Sequence, residues 1–172
     1  MKILTTQIGG LLQRIATSAE GSIEETARLL AQATIGEGRV ILAGFGELEA
    51  VTTTALHGVE PFSGAVRYEN GMEIGSADRV WLLARSATDN HVLELARLLA
   101  ERFIPFAALA ADKSAEDNEL EDLAYTYIAT GLTRGLLPSD TGERIVQPHV
   151  LAALFVYEAV KLAYDEMVSD ED

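Results

Sequence analysis

The chain has 172 residues, 48% of them hydrophobic, and a formal net charge of −14 from 27 acidic against 13 basic side chains. That is enough sequence for one α/β domain with a real core and too apolar for disorder, while the charge argues against nucleic acid or an anionic membrane surface as partner. No cysteine is present, so disulfides, thiol catalysis and cysteine-based metal sites are excluded.

In chain order, Ile8, Leu11, Leu12 and Ile15 recur at helical spacing and predict a helix over 3–19. Glu20-Gly21 then breaks the chain, and Ser22 to Glu25 has the pattern of a capping box opening a helix to Ala33. A strand over 40–43 runs into Gly44-Phe45-Gly46, followed by a helix over 49–56 and strands over 65–68 and 79–84. A long helix over 87–103 carries Val92, Leu95, Leu99 and Phe103 on its buried stripe. Then come a strand (105–110), a short helix (115–123) whose carboxylates form a solvated face, and a strand (125–129). A glycine-rich loop leads to a final helix over 148–167, with Pro148 suited to its first turn. Trp81 and the phenylalanines are expected in the core.

The strands are short continuous apolar runs, the mark of a parallel sheet covered on both faces. The expectation is α/β: a doubly wound five-stranded parallel sheet, flavodoxin-like, with helices on both faces and two leading helices. The whole chain, 1–172, reads as one domain with a helical arm (1–36) and an acidic tail (165–172) that frays. The apolar runs, such as 150–157, are too short to span a bilayer. The first residues lack a secretory leader pattern, so no membrane partner and a cytoplasmic protein are expected.

Ligands of such sheets bind beyond the strand C-termini, where strand order reverses. That rule nominates Gly44, Phe45, Gly46 and Glu47 after the first strand, the turn Arg85, Ser86, Ala87, Thr88, Asp89, and the loop from Gly131. Gly44 and Gly46 also suit a tight turn with no ligand, and Ser86, Thr88 and Asp89 suit helix capping. Three scattered histidines give no metal site, and no cofactor is expected. Arg134 and Arg144 in the glycine-rich loop are solvated by default, with an anion clamp as the alternative.

The element order, the Gly-x-Gly turn and the Ser86 turn resemble the sugar isomerase (SIS) domain over nearly the whole chain. The two leading helices look most like phosphoheptose isomerases, and closer still to a small uncharacterised bacterial group of SIS-like proteins. This resemblance implies a five-stranded parallel sheet, a phosphosugar at its C-terminal edge, and a homodimer or tetramer. The family's first turn reads Gly-x-Gly-x-Ser; here Glu47-Leu48 follow the glycines and the serine is missing. Its second turn, Ser-x-Ser-Gly-x-Ser/Thr, wraps the phosphate; here Ser86 and Thr88 remain while Ala84, Ala87 and Asp89 depart. Glu47 and Asp89 place carboxylates beside the implied phosphate, each costing several kcal/mol at ~4 Å and an effective dielectric near ~20 before screening. Arg85 offsets one of them if it turns inward; otherwise a neutral or cationic ligand is favoured.

Aldose–ketose isomerisation needs a base and an acid flanking two sugar carbons. The resemblance implies a glutamate after the first turn, which falls at Gly58, with His57 and Glu60 nearby. It also implies a Gln-x-x-His before the last helix, matched one residue short by Gln147-Pro148-His149. Three functions follow: a SIS-type sugar-phosphate-binding protein without isomerase chemistry, which is favoured; an active isomerase using His149 with Glu60 or His57; or a homo-oligomeric interaction protein with a vestigial pocket.

Overall fold

A computed structural model describes residues 1–169. Five parallel strands, β1 (Val40–Gly44), β2 (Ala65–Arg67), β3 (Arg79–Leu83), β4 (Phe106–Ala110) and β5 (Thr126–Ala129), form one sheet in the order β2-β1-β3-β4-β5. The order reverses between β1 and β3, so the crevice beyond Gly44 and Leu83 is the topological switch point. Adjacent strand residues face opposite cores. Leu42, Trp81, Leu83, Leu109 and Ile128 pack under α1 (Lys2–Ser18), α2 (Glu20–Ile35), α3 (Glu49–His57) and α6 (His149–Ser169). Ile41, Val80, Leu82, Phe106 and Ala108 pack under α4 (Asn90–Glu101) and α5 (Glu119–Leu123). The doubly wound sheet expected from the sequence is therefore the observed one. Among the described residues, no helix is long and apolar enough to cross a membrane.

Several boundaries differ from expectation for identifiable reasons. The corner between the first two helices is the buried Ala19, with φ −107° and ψ 4°, so Ser22 lies inside α2. The capping box is unused, and Glu25 pairs with Arg28 instead, at 2.8 Å. α2 is no arm: Ala27, Leu30 and Ala33 are fully buried against the sheet and α6. α4 starts at Asn90 because the Asp89 carboxylate accepts from the amides of His91 (2.9 Å) and Val92 (3.4 Å). It ends before Phe103, which adopts φ +55° and is 92% exposed, off the expected stripe; Ile104 is buried in its place. α5 is shorter than expected and is capped by Asn118, whose side chain accepts from the Glu121 amide.

The glycine-rich loop contains an antiparallel hairpin that the apolar pattern gave no sign of, β6 (Leu137–Pro138) with β7 (Arg144–Ile145). The expected fraying tail is helical through Ser169, and residues 170–172 lie outside the described ones.

Candidate functional site at the switch point

β1 ends at Gly44, where an added Cβ would stand 2.7 Å from both the Glu49 Cα and the Leu48 carbonyl oxygen. Glycine at this position lets α3 sit directly on the strand end. Gly46 takes φ +58° with open space around it, turning the chain into a short 3-10 helix, Gly46–Leu48. That helix carries Glu47 to the mouth of the crevice, where its carboxylate is 3.9 Å from the Arg85 guanidinium. Both side chains are substantially exposed, so the pair leaves each free to meet a ligand.

The turn after β3 closes on itself. The Thr88 amide donates to the Ser86 hydroxyl (3.2 Å), the two hydroxyls are 3.0 Å apart, and the Asp89 amide donates to the Ser86 carbonyl. The Ala87 amide donates to the Asp112 carboxylate from the loop after β4, at 2.6 Å. Together with the Asp89 cap, this commits the amides of Ala87, Thr88, Asp89, His91 and Val92 to oxygens of the protein itself. The turn that the resemblance assigns to a phosphate thus holds an intramolecular carboxylate.

His149 begins α6 at the same edge, 8% exposed, with its Nε2 3.4 Å from the Gln147 side chain. Burial pulls its pKa below the ordinary 6.5; Glu47 and Asp112 draw it back up, Arg85 reinforces the fall, and the net direction is down. Val146, three residues earlier, adopts φ +67°, a conformation a β-branched residue pays of order 1–3 kcal/mol to hold. Its carbonyl accepts from the Leu136 amide, so the hairpin enforces the bend that delivers Gln147 and His149 to the crevice.

The lowered His149 pKa fixes a pH dependence. As pH falls, the unfolded chain takes up the proton first, so this contribution is intact above about pH 6.5 and is lost below it, down to the folded-state value. His149→Gln is expected to lose stability less steeply than the native chain between about pH 7 and about pH 5. Urea melts across that window measure it, and equal slopes would contradict the assignment.

Not all nominated residues converge. α3 runs back along β1, so His57 ends it at the N-terminal edge of the sheet, and Glu60 follows before β2 begins opposite Val40. Tyr164, 15 residues beyond His149 on α6, donates to the Ser63 carbonyl there. At ~1.5 Å per residue that separates the two ends by roughly 22 Å. His149 therefore does not meet His57 or Glu60 within one chain.

A family model described as "Domain of unknown function (DUF2529)" matches residues 1–168. The chain belongs to this family. The Bacillus subtilis (strain 168) protein "Uncharacterized protein YwjG" is 31% identical over 99% of this chain and 98% of its own length. Among solved structures, the Vibrio vulnificus NanR protein complexed with ManNAc-6P is similar with a TM-score of 0.71 at 16% identity. The match covers 96% of this chain but 62% of NanR. The sugar isomerase domain of the RpiR transcription factor from Sphaerobacter thermophilus is similar with a TM-score of 0.64 at 17% identity, covering 98% of this chain and 93% of the other. At these identities the likeness is one of fold, and that fold is the SIS-like phosphosugar isomerase architecture.

This member of the DUF2529 family carries one site residue that sequence reading passed over. Asp112 is the second residue after β4, with no motif around it, and nothing in its spacing announces a bond to Ala87. Among the described residues, no group of three or more His, Asp or Glu side chains is placed to hold a metal ion.

Proposed function

We propose that this protein binds a sugar phosphate, or a closely related polyhydroxylated anion, at the β1/β3 edge and does not isomerise it. The observation that carries this reading is the gathering of Glu47, Arg85, Asp112 and His149 at one strand edge while His57 and Glu60 lie at the other. Carboxylates such as Glu47 accept hydrogen bonds from sugar hydroxyls, and Arg85 supplies a cation for the anionic end. His149 provides a proton-transfer group, but the position that the SIS resemblance implies for its partner glutamate is Gly58 here, and His57 and Glu60 beside it lie at the opposite edge. The ManNAc-6P complexed with NanR, a protein of similar fold, supports the ligand class.

Calorimetry against sugar phosphates, neutral sugars and polyamines tests the reading. Binding confined to sugar phosphates is expected, with Ser86→Ala weakening it roughly three- to tenfold through loss of a hydroxyl contact. No heat at millimolar ligand, or heat with neutral sugars or polyamines alone, would overturn it. Sedoheptulose 7-phosphate is expected to show no enzyme-dependent solvent-deuterium exchange at C1. Exchange would overturn the non-isomerising half of the reading and establish an active isomerase.

A further inference from the structure

A cleft of about 580 Å³ lies beside the C-terminal ends of β4 and β5, along the sheet from the β1/β3 crevice. Four of the chain's 13 basic residues line it: Arg14 from α1, Lys113 after β4, Arg134 after β5 and Arg144 on β7. No carboxylate lines it, and among the described residues none of the four forms an ion pair. In a protein of net charge −14, this local reversal of sign needs an explanation. Four like charges facing one cavity repel one another, and an anion between them removes that repulsion.

The cleft is built rather than incidental. Arg144 donates from Nε to the Gly135 carbonyl (2.8 Å) and from Nη2 to the Leu136 carbonyl (2.7 Å), which fixes the guanidinium and leaves Nη1 unused. Gly135 permits this, since a Cβ there would stand 2.5 Å from the backbone of Arg144 and Ile145. Gly131, at φ +69°, lies under the Lys113 stem, with its Cβ position 3.6 Å from the lysine Cε. The amides of Arg134 and Gly135 donate to no acceptor among the described residues. The volume falls in the range of small-molecule sites, ~300–1,000 Å³.

We propose that this cleft is a binding site for a small ligand carrying phosphoryl groups and at least two negative charges. Guanidinium forks and backbone amides match phosphoryl oxygens in geometry, and several cations together favour a multiply charged anion over a lone carboxylate. The site is separate from the β1/β3 crevice and does not rest on the sugar-binding reading.

Calorimetric titration with inorganic pyrophosphate at low salt tests the site directly. Pyrophosphate is expected to bind more tightly than orthophosphate and to weaken as salt is raised. The Arg14→Gln/Lys113→Gln double variant is expected to bind pyrophosphate roughly tenfold more weakly. Ser86→Ala, which alters the other site, is expected to bind it unchanged. Arg134→Gln is the second variant; its side chain makes no hydrogen bond among the described residues, so the fold is expected to survive, with affinity falling roughly threefold. Ligand-free melts of each variant report folding. No heat at millimolar pyrophosphate, native affinity in the folded cation variants, or loss on Ser86→Ala would each overturn the proposal.

Discussion

Asp78→Ala is expected to cost about 3 kcal/mol of folding stability, the largest loss anticipated from any single polar substitution in this chain. The Asp78 side chain is 7% exposed and accepts four hydrogen bonds. Its Oδ1 takes the Arg39 amide (2.8 Å) and Nε (3.2 Å); its Oδ2 takes Arg39 Nη2 (2.7 Å) and the Gly75 amide (2.8 Å). These bonds tie the start of β1 to the turn that launches β3, beside the Arg79 amide that donates to the Arg39 carbonyl. Burial alone would raise the Asp78 pKa, but the Arg39 hydrogen bond and charge and the two amides outweigh it and hold it at about 2. Removing the carboxylate orphans two backbone donors, whereas the Arg39 guanidinium, 43% exposed, regains water; the cost therefore stays below that of breaking a fully enclosed pair. The sign of the pH effect follows. A depressed carboxylate contributes fully above about pH 4, and the contribution is lost as pH falls toward about 2. Asp78→Asn should accordingly flatten the acid limb of the stability curve by about 2 kcal/mol. Urea unfolding at neutral pH measures the first effect; a loss of less than about 1 kcal/mol for Asp78→Ala would show that the turn is held by other contacts.

The sheet was legible because its strands are written as unbroken apolar runs. Ile41, Val80, Leu82 and Phe106 bury one face and Leu42, Trp81 and Leu109 the other, so no alternation is diluted by a solvent side. Helix ends were less legible, since capping is a competition that sequence does not rank. Ser22 and Glu25 could cap, yet burying Ile15 and Ala19 places the corner earlier. Phe103 fits the apolar stripe of α4, yet the chain must leave the helix to reach β4, and the residue that makes the left-handed exit is thrown outward. At the site, the glycines and Ser86 announced a strand-edge turn, and His149 announced the start of the last helix. The features that set the electrostatics were legible only in part: Arg134 and Arg144 stand out in the glycine-rich loop with an anion clamp as one reading, but their partners are long-range. Asp112 reaches Ala87 across 25 positions, and Arg14 joins Arg144 in one cleft from opposite ends of the chain. The hairpin that holds Val146 and Arg144 in place has two-residue strands, too short to give any periodicity.

Asp112→Ala is expected to strengthen phosphate binding at the turn after β3 by on the order of thirtyfold, an effect opposite in direction to an ordinary site mutation. The SIS resemblance implies that this turn wraps a phosphate, and the observed turn already has an anion, the Asp112 carboxylate, 2.6 Å from the Ala87 amide. An incoming phosphoryl group must compete for that amide and approach a like charge. At ~4 Å and an effective dielectric of ~20 the repulsion is about 4 kcal/mol, and screening at a half-buried site leaves roughly half of it, about 2 kcal/mol. Alanine removes both the charge and the competing acceptor. Asparagine removes the charge but keeps a carbonyl oxygen for Ala87, so Asp112→Asn should give a smaller gain. Comparing the two separates repulsion from occupancy, and titration with one sugar phosphate that binds the native chain suffices to read both. The Tyr127 hydroxyl bonds to the Asp112 backbone carbonyl, which either substitution retains, so the loop itself should keep its course. If neither variant binds phosphate more tightly, then Asp112 is a structural brace and the turn is not where the anion sits. Within the β1/β3 crevice, the charge of a bound sugar phosphate would then have to be met by Arg85.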